Sequence, residues 1–129
     1  MSRAWRPSLP ERVTFQSGNF FESLPPGFDV YLMSQVIHDW SEEQCLTILR
    51  NTRRAMGQES RLLIVELVLK EDAGFDPGKM LDMTMLALPG GEERTATEYG
   101  DLLAKAGFRM SRVVPTFAEV SVVEAFPLF

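Results

Sequence analysis

The only histidine of this 129-residue chain, His38, lies in a segment whose residue types suit proton transfer. An apolar stretch at residues 28–37 precedes it, and Ser41 begins a helix after it. In open α/β sheets ligands bind at the carboxyl ends of strands, which is where this order places the imidazole. The unperturbed pKa of histidine, ~6.5, suits acid–base catalysis near neutral pH. His38 is therefore a candidate general base, with a structural role as the alternative.

An acidic residue, Glu66, interrupts the second apolar stretch, residues 61–69. A carboxylate in a buried strand costs free energy unless another group pairs with it. Glu66 is thus either the partner of a polar group or the exposed end of a strand, and the residues alone leave both interpretations open.

The residue patterns around these side chains predict the strands and helices that must position them. They indicate an α/β fold in one domain, residues 1–129. Residues 28–37 and 61–69 are typical of strands covered on both faces. Between them, Ser41 and Gln44 form the capping box of a helix that ends at Gly57. This strand–helix–strand order predicts parallel strands joined by a right-handed crossover.

Shorter apolar segments and a second capping box predict the remaining elements, which include a terminal antiparallel hairpin. They are a strand at 13–15, a methionine-rich helix at 79–88, a helix from the Thr95 capping box to Gly107, and two hairpin strands near 111–114 and 119–125.

Composition narrows the class of protein. The apolar fraction of 45% and charged fraction of 24% are those of an ordinary globular domain. A net charge of −5 argues against nucleic acid or an anionic membrane as the main partner, because both require a basic face. No apolar run approaches the ~20 residues of a membrane span. A single cysteine, Cys45, fits a reducing cytoplasm.

Five short motifs occur in order along most of the chain. They are GNFF (18–21), DVYLMSQVIHDW (29–40), LLIVE (62–66), GGEERT (90–95) and LLAKAGF (102–108). Together they resemble the carboxyl-terminal half of S-adenosylmethionine-dependent O-methyltransferases of the plant caffeate type and their bacterial natural-product relatives. The resemblance implies a partial Rossmann-like sheet and methyl transfer to a hydroxyl of a small aromatic or polyketide-like acceptor, without a metal.

The resemblance also implies roles for individual residues. His38 matches the catalytic base, and Glu66 and Glu93 match the acidic residues that orient its imidazole. A carboxylate on the far ring nitrogen fixes the tautomer and stabilises the imidazolium. Residues matching the cofactor site are Asn19, Phe20, Ser34 and Trp40, and those matching the acceptor site are Asp39, Met83 and Met85. Plain core packing is the alternative for Trp40 and the methionines.

The sequence departs from the family at three places. The strand followed by a Gly-x-Gly turn that opens the cofactor site is absent, Asn19 replaces the usual aspartate, and Ser34 replaces a common lysine. Asn19 keeps an acceptor oxygen but loses the charge that strengthens its hydrogen bond. The amino-terminal helical region through which members of the family dimerise is absent as well. Because half of a Rossmann-like sheet leaves an exposed edge and an uncovered apolar face, we expect a homo-oligomer or a complementary chain.

Three functions remain open from the sequence. The first is an O-methyltransferase fragment or split subunit. The second is a non-catalytic remnant that acts as an oligomerising or partner-binding module. The third is a related enzyme of different chemistry, such as hydroxylation, on the same aromatic substrates.

Overall fold

The computed structural model describes residues 13–69 and 94–129. The elements are β1 (Val30–Ser34), a 3₁₀-helix (Ile37–Asp39), α1 (Glu42–Ala55), β2 (Arg61–Glu66), β3 (Val68–Leu69), β4 (Arg94–Thr95), α2 (Ala96–Lys105), β5 (Phe108–Pro115) and β6 (Ser121–Pro127). The 3₁₀-helix is hereafter the His38 turn. The helix predicted at 79–88 lies outside the described residues.

The main sheet has four strands in the order β1-β2-β6-β5. β1 and β2 are parallel and are joined through α1, whereas β6 is antiparallel to both β2 and β5. The α/β class, the parallel crossover pair and the terminal hairpin are therefore confirmed. A second, two-stranded sheet pairs β3 with β4 in parallel, so that Val68 faces Arg94 directly after β2.

Both long helices begin at the capping boxes that the sequence predicts. The Ser41 side chain accepts from the Gln44 amide while the Gln44 side chain returns to Ser41, and Thr95 and Glu98 repeat the arrangement in α2. One side of α1 is buried because its apolar residues recur at helical spacing. The core that α1, α2 and the sheet enclose includes Ile37, Ile48, Leu49, Leu62, Ile64, Tyr99, Leu102, Leu103, Phe108 and Val123.

The strand predicted at 28–37 is shorter than expected and is covered on one face only. Tyr31 and Met33 are buried, whereas Val30 and Leu32 are 49% and 63% exposed. Successive side chains of a strand point to opposite faces, so one face of β1 is left uncovered by the described residues. Among the described strands, β1 is one of the two edge strands of the main sheet, and β5 is the other.

The strand predicted at residues 13–15 was wrong. The segment has no regular secondary structure and its side chains are exposed. A β-strand needs a hydrogen-bonded neighbour, and no described strand pairs with this one. Across 13–69 and 94–129, no helix is both long and apolar enough to cross a membrane.

Candidate active site

His38 is carried by the turn that joins β1 to α1, at the carboxyl end of the parallel strands. Ile37 anchors the turn because its side chain is completely buried in the core. The chain enters the turn through Gln35, whose φ of 58° lies in the left-handed region and whose amide donates to the Val65 carbonyl at 2.9 Å. A non-glycine residue in this region is strained, and such strain clusters at functional sites.

The imidazole of His38 is bound by Glu66, the last residue of β2. Glu66 Oε1 lies 2.8 Å from His38 Nδ1, and Oε2 accepts from the His38 backbone amide at 3.3 Å. The glutamate side chain is 1% exposed and the histidine side chain 16% exposed. Because an ionised carboxylate only accepts hydrogen bonds, Glu66 favours the tautomer with a proton on Nδ1, and proton exchange with a substrate would then take place at Nε2. Glu66 is therefore a buried partner of His38 rather than an exposed strand end.

The other ring nitrogen faces a second acid. Asp39 Oδ1 lies 3.1 Å from His38 Nε2, and the Asp39 side chain is 54% exposed. A carboxylate on the outer nitrogen competes with any hydroxyl that would give its proton to Nε2. Because Asp39 is half in solvent, its side chain has room to turn away.

An aromatic cluster lies directly after the His38 turn. Trp40 stacks edge-on against Phe21, with ring centroids 4.9 Å apart, and against Phe20 at 6.2 Å. The buried Asn51 of α1 donates from Nδ2 to the Phe20 carbonyl at 3.1 Å, which ties this loop to the helix. Two of the predicted cofactor residues, Phe20 and Trp40, are thus brought together.

The other two predicted cofactor residues, Asn19 and Ser34, take no part in the ring contacts of that cluster. Asn19 uses its side-chain oxygen locally, accepting from the Phe21 amide at 3.0 Å. Ser34 is the last residue of β1 and is exposed. The predicted positions Glu93, Met83 and Met85 lie outside the described residues.

Two buried residues near His38 had been given no role from the sequence. Arg94 is 3% exposed and directs a guanidinium nitrogen at the sulfur of Cys45, which is itself completely buried. The sequence gives no sign that these two residues lie near the site. Burial is the signal that identifies Arg94, because a buried arginine requires partners. Among the two described segments, no group of three or more potential ligands could hold a metal ion.

Comparison with known proteins agrees with this geometry. Residues 2–109 match the family model described as the O-methyltransferase domain. The chain is 50% identical over 120 residues to the phenazine O-methyltransferase PhzM of Lysobacter antibioticus, covering 92% of this chain and 35% of that enzyme. The chain thus spans about a third of the length of this relative, and the resemblance inferred from the motifs is confirmed.

Solved structures show the same likeness. The crystal structure of LaPhzM matches with a TM-score of 0.86 and 47% identity, over 92% of this chain and 36% of that one. An O-methyltransferase from neocarzinostatin biosynthesis matches with a TM-score of 0.74 and 37% identity, over 86% of this chain and 32% of that one. That structure holds S-adenosylmethionine and 2-hydroxy-5-methyl naphthoic acid.

Proposed function

This chain belongs to the O-methyltransferase family, and we propose that it supplies the catalytic base for methyl transfer from S-adenosylmethionine to a hydroxyl of a small aromatic or polyketide-like acceptor. The observation that carries the proposal is the His38–Glu66 pair, with Nδ1 2.8 Å from a carboxylate that is 1% exposed. A carboxylate on one ring nitrogen orients the imidazole and stabilises the imidazolium, which is what a base acting through the other nitrogen requires.

The proposed chemistry of His38 follows from the acceptor's acidity. A phenol of pKa ~10 is a weak nucleophile at neutral pH until its proton is removed. In the proposed step the hydroxyl proton would pass to Nε2 of His38 while the oxygen becomes bonded to the methyl carbon. The bond from that carbon to the sulfonium sulfur would break at the same time, so that its electron pair stays on sulfur and S-adenosylhomocysteine leaves. Glu66 stabilises the imidazolium that results, and a positioned base of this kind contributes roughly 10²–10⁴-fold. Glu93 is proposed as the second orienting acid.

Asp39 is proposed to contact the acceptor after leaving His38. Its carboxylate lies 3.1 Å from Nε2, where the hydroxyl must arrive, and is 54% exposed. An arriving hydroxyl therefore displaces a solvated group rather than a buried one. Met83 and Met85 are proposed to line the acceptor pocket, because flexible thioethers adapt to flat aromatic rings.

S-adenosylmethionine is proposed as the cofactor, as it is present in the solved neocarzinostatin relative. When bound, it supplies a methyl group on a positively charged sulfur, so no metal is needed. Phe20 and Trp40 offer aromatic surface beside the His38 turn for a cationic ligand. Asn19 fits less well, because its oxygen already accepts from Phe21, although a carbonyl has a second lone pair. Ser34 offers a hydroxyl at the end of β1.

We further propose that a second polypeptide or a second copy covers β1. Val30 and Leu32 are exposed on a strand at the edge of the described sheet. Unpaired strand edges with apolar side chains invite another strand. The chain spans 35% of its phenazine relative, so catalysis would need contributions from outside this segment. A reduced cytoplasm is the proposed location, in keeping with one buried thiol.

A hybrid enzyme tests the proposal. The segment of the Lysobacter phenazine O-methyltransferase that matches this chain is replaced by this chain, which the 50% identity favours structurally. The purified hybrid enzyme is given S-adenosylmethionine and a hydroxyphenazine, and products are analysed by mass. We expect the acceptor to gain one methyl group. In parallel, the chain alone is titrated calorimetrically with S-adenosylhomocysteine to determine whether it binds cofactor unaided.

The alternatives give different products. A folded hybrid enzyme that binds S-adenosylhomocysteine but transfers no methyl group would contradict the proposal and favour a partner-binding remnant. An acceptor that gains the mass of an oxygen atom instead of a methyl group would show that the chain supports hydroxylation. A hybrid built with the parent enzyme's own segment is the control for the joining sites.

A further inference from the structure

Cys45 connects the first turn of α1 to the backbone on both sides of His38. Its sulfur lies 3.2 Å from the Ile37 carbonyl oxygen and 3.5 Å from that of Trp40. A thiol is a weak donor, and here it points at the carbonyls of the residues that enter and leave the His38 turn. The side chain is completely buried, so water does not compete for these contacts.

Arg94 adds a second contact to the same sulfur. A guanidinium nitrogen of Arg94 lies 3.9 Å from Cys45 Sγ, and the arginine is 3% exposed. Arginine can only donate, so the sulfur accepts from Arg94 while its own proton goes to a carbonyl of the turn. Donation to a group strengthens the hydrogen bond that the group itself donates.

The placement of Arg94 follows from the sheet register. β4 pairs with β3 so that Arg94 faces Val68, two residues after Glu66. The two short strands therefore bring Arg94 into the region where Glu66 holds the imidazole. Within the described part of the chain, Glu66 thus contacts the imidazole and the amide of His38, while Cys45, itself contacted by Arg94, contacts the backbone on either side of His38.

We propose that Cys45 and Arg94 are positioning residues, which hold the His38 turn so that Nδ1 stays on Glu66 and Nε2 keeps its direction. The inference deepens the proposed function and rests on His38 being the base. It assigns no contact with substrate to either residue. What it claims is that the hydrogen bonds of the sulfur, and not merely its volume, maintain the geometry of the imidazole.

The test uses the chain itself and does not require catalysis. His38 is the only histidine, so labelling with ¹⁵N-histidine gives ring signals from a single imidazole, Nδ1 and Nε2. The readout is the Nδ1 proton, in particular its resonance and its rate of exchange with water. Cys45→Ala removes the donor, Cys45→Ser retains one, and Arg94→Met removes the guanidinium at similar length. Backbone amide spectra establish that each variant is folded.

We expect exchange of the Nδ1 proton to be roughly 3- to 10-fold faster in Cys45→Ala and Arg94→Met, the range for losing one hydrogen bond. Cys45→Ser should restore the wild-type rate. Thr52→Val is the matched control, because Thr52 is also completely buried on α1 and its hydroxyl donates to the Ile48 carbonyl at 2.8 Å. This variant should lose stability and keep the His38 signal.

Wild-type exchange in folded Cys45→Ala and Arg94→Met would overturn the proposal, as would an equal effect from Thr52→Val. If Cys45→Ala does not fold, Cys45→Val is used in its place, because valine fills the volume of the thiol without a hydrogen-bond donor. The same exchange rates then support or overturn the proposal. The exchange rate of the Nδ1 proton can be measured whether or not the proposed methyl transfer takes place. A hybrid enzyme that transfers no methyl group would reject the function, whereas the Nδ1 measurement depends only on this chain.

Discussion

Glu66 binds His38 twice, through Oε1 to the ring nitrogen Nδ1 at 2.8 Å and through Oε2 to the backbone amide at 3.3 Å. The first contact sets the tautomer, and the second sets where the turn lies relative to β2. One buried carboxylate thus contacts both the ring and the backbone of the only histidine in the chain.

Replacing Glu66 with glutamine tests both contacts. Glutamine keeps the size but offers one uncharged acceptor oxygen, so one of the two hydrogen bonds is lost and the other is weakened. We expect the Nδ1 proton resonance to move upfield and the free energy of unfolding to fall by about 1–3 kcal/mol. Nuclear magnetic resonance and urea denaturation measure the two effects.

Glu124→Gln is the matched control. Glu124 is also buried, but its partners are Arg61 and Arg112 on the sheet. This control should cost stability and leave the His38 signal unchanged. An unchanged Nδ1 resonance in Glu66→Gln would contradict the assignment of Glu66 as the orienting acid.

Asp39→Asn should make His38 lose its proton at lower pH. The Asp39 carboxylate lies 3.1 Å from Nε2, and a nearby negative charge favours the protonated imidazole. Removing that charge removes this contribution, so the midpoint of the His38 titration moves down. The ¹⁵N-histidine titration of both chains measures it. A midpoint that stays in place or rises would show that Asp39 does not interact with the ring in solution.

Gln35 provides a prediction on backbone strain. Its φ is 58°, a conformation that glycine adopts freely and that costs other residues about 1–2 kcal/mol. We expect Gln35→Val to be less stable than Gln35→Gly by about this amount, because β-branching makes the left-handed region worse. Urea midpoints of the two variants give the comparison. Equal midpoints would mean that the left-handed conformation is not adopted in solution.

Gly107 after α2 is expected not to tolerate a side chain. Its φ is +91°, and an added Cβ would lie 2.7 Å from both Cδ and Nε of Arg53. Gly107→Ala should therefore lower the free energy of unfolding by about 1–3 kcal/mol. Gly18→Ala is the control, since no atom lies within 4 Å of its added Cβ. Similar losses in both variants would contradict the close packing against Arg53.

The sequence predicted those parts of the fold that depend on residues close together along the chain. The capping boxes of Ser41 with Gln44 and of Thr95 with Glu98 are formed within one turn, and the structure has both. The strand at residues 13–15 failed for the opposite reason. Its apolar residues suit a strand, but pairing depends on a neighbour that the residue pattern cannot reveal.

The candidate site divides in the same way. His38 was found because it is the only histidine, and Glu66 because an acid in an apolar run needs a partner. Cys45 and Arg94 were missed because they are 49 positions apart in the chain and only the tertiary fold brings their side chains together. The coverage of β1 on both faces was overestimated, since an apolar strand does not disclose which of its faces the chain itself covers.

The most direct test of the account is the turnover of the hybrid enzyme with His38→Gln, measured with its affinity for S-adenosylhomocysteine. Glutamine cannot take up a proton at neutral pH, so turnover should fall by roughly 10²–10⁴-fold. The affinity for S-adenosylhomocysteine should be nearly unchanged, because in the proposed mechanism His38 contacts the acceptor hydroxyl and not the cofactor. Wild-type turnover in a folded His38→Gln hybrid enzyme would remove His38 from the mechanism and contradict the account.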